Sequence, residues 1–198
     1  MFRGLLESGK SLVTTSKNLV TSTLDKISDP NTVESYKRTH IYDSTFDEVI
    51  KNYELKFEET NLKEHDIASC ELISVITFDN VTTKKRKLYV NLLNLPTTIP
   101  DQVIQYVGDP KFIIDHIFEV DNNTGTAIAI SKNISHPNMT FYEEINFNAH
   151  GNKTSCDLLG SLAVNLFIGI NETVRKLWVS QYKAYYDKYF FIPVQLQN

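Results

Sequence analysis

Between Phe112 and Leu162 four strand-like stretches follow one another with little more than turn residues between them: Phe112–Val120, Thr126–Ile134, Thr140–Phe147 and Lys153–Leu162. The turn Asp121-Asn122-Asn123-Thr124-Gly125 has the residues that a tight reversal needs, because Gly and Asn tolerate left-handed backbone and Asp bonds to nearby N–H groups. Such a succession suggests an antiparallel sheet, and a sheet needs an apolar partner. The chain supplies one in a helix over about Leu166–Phe190, where Val174, Leu177, Trp178, Tyr182, Tyr185 and Tyr189 recur at three- and four-residue intervals.

The residues before this block extend the pattern. Tyr36–Tyr42 alternates as a strand does, and Asp43-Ser44-Thr45 offers capping oxygens to a helix over Phe46–Phe57 that carries Phe46, Val49, Ile50, Tyr53 and Phe57 on one face. Strands over Cys70–Phe78 and Lys87–Leu93 are joined across Asp79-Asn80-Val81-Thr82-Thr83. Leu95-Pro96-Thr97-Thr98-Ile99-Pro100 follows, then a short helix over Asp101–Tyr106 ending at Gly108. Read in order, these elements predict an α+β chain of the helix-grip kind, one curved antiparallel sheet around a long C-terminal helix. A gap between sheet and helix, lined by Phe and Tyr, suits acyl chains, whereas the same aromatic stripe also suits a filled core.

Residues 1–27 read differently. Leu5, Leu12 and Leu19 repeat every seven residues beside Leu6, Val13, Val20 and Ile27, with Arg3, Lys10 and Lys17 along one edge. That amphipathic stripe fits a membrane interface, a helix docked on its own domain or a cleaved targeting peptide. Ser28-Asp29-Pro30-Asn31-Thr32 interrupts it, so 1–32 is taken as an extension with its linker and 33–198 as the domain.

Several classes are disfavoured. A net charge of −4, with no basic run longer than Lys84-Lys85-Arg86-Lys87, does not suit nucleic acid. Cys70 and Cys156 are far apart and in no zinc-ligand pattern; they read as buried thiols, or as a disulfide if their strands are neighbours. No run approaches 18 apolar residues. Six Asn-x-Ser/Thr sequons, at Asn80, Asn122, Asn133, Asn138, Asn152 and Asn171, lack a secretory signal before them and read as chance matches. An enzyme would draw on His40, His65, His116, His136 or His150 with a carboxylate. However, Asp115-His116 and Glu143-Glu144 are strand neighbours that point to opposite faces, and no nucleophile elbow, phosphate loop or metal spacing appears. No catalytic residue, metal or cofactor is expected.

The run Lys87-Leu88-Tyr89-Val90-Asn91-Leu92-Leu93-Asn94-Leu95-Pro96 resembles the strand that leads to a Leu-Pro lid in PRELI-type proteins. Residues 112–144, FIIDHIFEVDNNTGTAIAISKNISHPNMTFYEE, are similar to that family's two strands, its turn, its Asn-Ile-Ser motif and the Glu-rich strand after it. The resemblance extends over roughly residues 35–190, in order. It implies a START-like carrier of the mitochondrial intermembrane space that moves phosphatidic acid or phosphatidylserine between membranes without covalent chemistry, often with a small helical twin-cysteine partner protein. It also implies roles for particular residues: Lys56 and His65 at the lipid headgroup with Lys87 as a further candidate, a lid carrying Leu95, Pro96, Ile99, Val103 and Ile104, and a cavity wall of Val174, Leu177, Trp178 and Tyr182. The chain departs from the family in having Glu-Glu-Thr-Asn where Asn-Pro-Tyr is usual, and in its N-terminal extension. The other reading is a structural or membrane-tethering protein with the same fold and a filled cavity.

Overall fold

The computed structural model describes residues 33–91, 111–135, 138–165 and 171–190, with the backbone alone described at Asn91, Lys111, Thr173, Leu177 and Tyr189. The amphipathic stripe in 1–27, the linker, the lid residues Leu95, Pro96, Ile99, Val103 and Ile104 and the short helix over 101–106 therefore lie outside the described residues. In chain order the elements are β1 (Val33–Tyr42), α1 (Phe46–Leu55), a 3₁₀ turn (Leu62–His65), β2 (Ile67–Phe78), β3 (Val81–Asn91), β4 (Lys111–Asp121), β5 (Thr126–Asn133), β6 (Met139–His150), β7 (Lys153–Val164) and α2 (Asn171–Tyr189).

The strands form one sheet in the order β1-β7-β6-β5-β4-β3-β2, every pair antiparallel. Each strand from β2 to β7 thus pairs with its neighbour in sequence, and β1 closes onto β7. The curved sheet with its C-terminal helix is the helix-grip arrangement expected from the order of elements. Both helices cover the inner face. Phe46, Val49 and Tyr53 of α1 and Tyr182 and Tyr186 of α2 share one buried cluster with Phe118, Ala129, Ile145, Phe147, Cys156 and Leu158 of the strands. No described helix is long and apolar enough to cross a membrane.

Local chemistry sets the element ends. Thr45 and Glu48 form a reciprocal capping box at the start of α1, as the Asp43-Ser44-Thr45 signal suggested. At the other end the helix stops at Leu55, short of the expected Phe57. Phe57 and Glu58 donate to the carbonyls three residues back, tightening the last turn, and Asn61 Nδ2 caps Leu55 O. The β2–β3 connection is shorter than expected. Asp79, with φ 53°, and Asn80 make the turn alone, while the β-branched Val81, Thr82 and Thr83 extend the strand.

Cys70 and Cys156 are free thiols, on edge strand β2 and on β7, with four strands between them, so the conditional disulfide does not form. Edge strand β2 is bulged and leaves Leu72, Ile73, Val75, Ile76 and Phe78 about half exposed. Asn133, in one of the sequons, is buried; its side chain donates to Met139 O and accepts from the Phe141 N–H, which leaves no room for a glycan.

Candidate functional site

Strand register draws seven residues into one line across the inner face: Leu72 of β2, Arg86 of β3, His116 of β4, Ser131 of β5, Glu143 of β6, Gly160 of β7 and Tyr36 of β1. On an adjacent line stand Phe118, Ala129, Ile145 and Leu158, all buried and apolar. A polar rung therefore crosses a face whose neighbouring line is apolar between Lys84 of β3 and Arg38 of β1. Arg86 is 7% exposed and His116 1%, so their polar atoms must be satisfied from inside.

The helices complete the surroundings of the rung. Tyr53 of α1 meets His116 Nε2 through its hydroxyl at 3.0 Å. Glu54 Oε2 accepts from Arg86 Nη2 at 2.8 Å and from Lys84 Nζ at 2.5 Å. Just past the helix, Lys56 holds its Nζ over the Tyr53 ring, 3.9 Å from its centroid, and 4.8 Å from that of Phe57. From α2, the Tyr182 hydroxyl donates to Glu143 Oε2 at 2.7 Å and the Tyr186 hydroxyl donates to the same oxygen, while Ser131 donates to Oε1 at 3.2 Å. Tyr182 can lie so close because residue 160 is glycine: a Cβ there would stand 2.5 Å from Tyr182 Cζ. At the far side His65 Nδ1 meets the Tyr185 hydroxyl at 3.0 Å.

Burial governs the charge states. It draws the Lys56 ammonium down to about 8, helped by Arg86 and opposed by Glu143. Burial, then the Lys56 and Arg86 charges, holds His116 well below the ordinary imidazole range, so its ring is neutral at pH 7. Burial and then Lys56 lower His65 as well. The Tyr182 and Tyr186 hydroxyls are pushed up by burial and by Glu143, and so stay protonated donors.

Two nitrogens on this rung remain unanswered. Arg86 Nη1 and His116 Nδ1 are buried with no hydrogen-bond partner, as is Glu54 Oε1. No carboxylate pairs with Lys56 among the described residues. By contrast Glu143 already accepts three O–H groups, which suits a fixed acceptor better than a proton-abstracting base. The chemistry on offer is charge-assisted donation to an anion from Arg86 and Lys56, beside aromatic walls. Among the described residues no three His, Cys, Asp or Glu side chains converge as metal ligands.

Of the residues singled out from sequence, Lys56 and His65 come together here. Lys87 does not, because it pairs with Asp115 and Glu71 on the outer face, opposite Arg86 and Leu88. Val174 and Trp178 pack on Phe112, Met139, Leu162 and Val164, and Trp178 stacks on Tyr182 with centroids 4.7 Å apart. The Leu177 side chain lies outside the description. Sequence reasoning missed Arg86 and Glu54, and had set His116 and Glu143 aside with their strand neighbours. The signal for Arg86 was present in its alternation with Leu88 and Val90, which puts it inside and Lys87 outside.

No family model matches the chain, and no curated protein sequence does. Solved structures do resemble it. A START superfamily protein from Mycobacterium smegmatis has 10% identity and a TM-score of 0.46, covering 78% of this chain and 92% of its own. The Zhui aromatase/cyclase from Streptomyces sp. R1128 has 9% identity and a TM-score of 0.46, covering 77% and 86%. Norcoclaurine synthase from Thalictrum flavum, in complex with dopamine and hydroxybenzaldehyde, has 12% identity and a TM-score of 0.44, covering 78% and 82%. The likeness to PRELI-type proteins rests on the sequence motifs alone.

Proposed function

We propose that the chain binds an amphiphile between its sheet and α2, with the anionic headgroup on Arg86 and Lys56, and that it carries this ligand, a phospholipid, between membranes without covalent chemistry. The observation that carries this reading is the unanswered Arg86 Nη1, buried on a polar rung beside an unpaired-with-carboxylate Lys56 and a neutral His116. A buried guanidinium N–H without a partner costs about 1–3 kcal/mol, and an anionic oxygen relieves that cost. The aromatic and aliphatic side chains of Phe112, Met139, Leu162 and Val164, with Trp178 and Phe141 packed on them, supply apolar walls for acyl chains. The sequence resemblance adds the transfer role, a place in the mitochondrial intermembrane space and a twin-cysteine partner as parts of the same proposal.

A second reading has its own observation. Trp178, Tyr182, Tyr186, Phe141 and Phe190 form a chain of ring contacts that is typical of a filled core, which fits a structural or tethering protein. Organic extraction of the purified full chain followed by mass spectrometry separates the two. The carrier reading expects about one phospholipid per chain and transfer between liposomes. A protein that is empty, and that moves no lipid from donor to acceptor vesicles, refutes it.

A further inference from the structure

The charges around Arg86 can be read as a capacity. The titratable groups joined to the rung by contact, directly or through one another, are Tyr53 and Glu54 of α1, Lys56 just past it, His65 in the 3₁₀ turn, Lys84 and Arg86 on β3, His116 on β4, Glu143 on β6, and Tyr182, Tyr185 and Tyr186 on α2. Lys85 and Lys87 alternate to the other face. Three of the inward groups are cations, Lys56, Lys84 and Arg86. Two are carboxylates, Glu54 and Glu143, and the imidazoles are neutral. Among these contacting groups the cations exceed the carboxylates by one, so they are short of a single negative charge.

Glu54 decides that number. Its Oε2 bridges Lys84 and Arg86, which leaves Arg86 with one free Nη1 rather than a whole guanidinium fork. Its Oε1 is buried and unpartnered, so the carboxylate that holds Arg86 Nη2 also carries an uncompensated acceptor oxygen, which a ligand claiming both Arg86 nitrogens would have to displace. A second negative charge there would be buried without a counter-ion, which is costly in a low-dielectric interior.

Resting on the anionic-headgroup reading above, we infer that Glu54 limits the Arg86–Lys56 site to a singly charged anion, a carboxylate or a phosphodiester, and excludes a doubly charged phosphomonoester. Glu54 is here a specificity-determining residue that acts through Arg86. A phosphatidic-acid-like headgroup would enter only in its monoanionic form.

The test uses the full chain and two single-chain probes below their micelle concentrations, sodium dodecanoate and dodecyl phosphate, titrated calorimetrically at pH 5.5 and pH 7.0. Lysophosphatidylglycerol serves as a phosphodiester arm that distinguishes a lipid headgroup from a free fatty acid. A phosphomonoester loses its second proton near pH 6, so its monoanion fraction falls about eightfold between the two pH values. Dodecyl phosphate affinity should fall by about that factor in the wild type, while dodecanoate and the phosphodiester change less than twofold. In Glu54→Gln the fall should vanish or reverse, and in Glu54→Asp it should persist. Dodecyl phosphate that binds the wild type equally or more tightly at pH 7.0, with the other probes also bound, overturns the charge limit and leaves the anionic site standing. Binding of none of the probes overturns both.

Discussion

Gly160→Ala is the most direct probe of how α2 is held. The added Cβ would stand 2.5 Å from Tyr182 Cζ and 2.7 Å from its hydroxyl oxygen, whereas non-bonded carbons rest about 3.5–4.0 Å apart. The neighbour is a buried ring, so it must withdraw by about 1 Å. In doing so it lengthens the 2.7 Å bond to Glu143 and disturbs the stack on Trp178. Overpacking of a core costs about 1–3 kcal/mol and a hydrogen bond to a charged acceptor about 1.5–3 kcal/mol, so the expected loss is about 3–5 kcal/mol. For a chain of this length that lowers Tm on the order of 10 °C. Urea unfolding followed by circular dichroism reads it. Tyr182→Leu in the same chain should recover part of the loss, because the two changes share one space. A Gly160→Ala protein within about 0.5 kcal/mol of the wild type, or strictly additive costs in the double variant, would refute the close approach of ring and strand.

Other expectations follow from the same site. Arg86→Met should weaken dodecanoate binding by roughly 10- to 100-fold, while Lys87→Glu, on the outer face, should leave it within twofold; equal effects would contradict the assignment of faces. Lys56→Met should stabilise the fold at pH 7. Burial lowers the folded-state value to about 8 from an unfolded 10.5, so below pH 8 the native state carries the cost of a buried ammonium in full. Wild-type stability then rises between about pH 8 and 10.5, and the advantage of the Met variant should disappear by the top of that window; a pH-independent difference would exclude titration of Lys56 as its cause. Thr45→Ala removes half of the capping box and should cost about 1 kcal/mol in thermal unfolding without altering ligand affinity.

Much of the architecture was legible because it is local. Alternation in β1 and β4 to β7, the Asp43-Ser44-Thr45 cap and the three-four spacing of Trp178 and Tyr182 each report on their own segment. The β2–β3 turn was overestimated because Thr82 and Thr83 are as compatible with loops as with strands until their partners are known. The site was harder to see. Arg86, His116, Ser131, Glu143 and Gly160 are spread over five strands, and only register, a non-local property, sets them in one line. Lys56 and His65 were reached through a motif likeness, whereas Glu54 looked like any exposed helical acid. The 3₁₀ turn that carries His65 lacks a periodic signature at four residues.

The pairing of β1 with β7 bears on how the chain comes off the ribosome. Every other strand pairs with its neighbour in sequence, across short turns at β2–β3, β4–β5 and β6–β7, so those hairpins can form as they emerge. Strand β1 must wait: the Thr39 hydroxyl donates to a carboxylate 118 residues later, Asp157 Oδ1. Throughout that interval its backbone edge and that of each newest strand stand open to other chains, a state that invites capture by a chaperone or by a second nascent copy. The β1 edge can gain its partner only once residues 153–164 have been made.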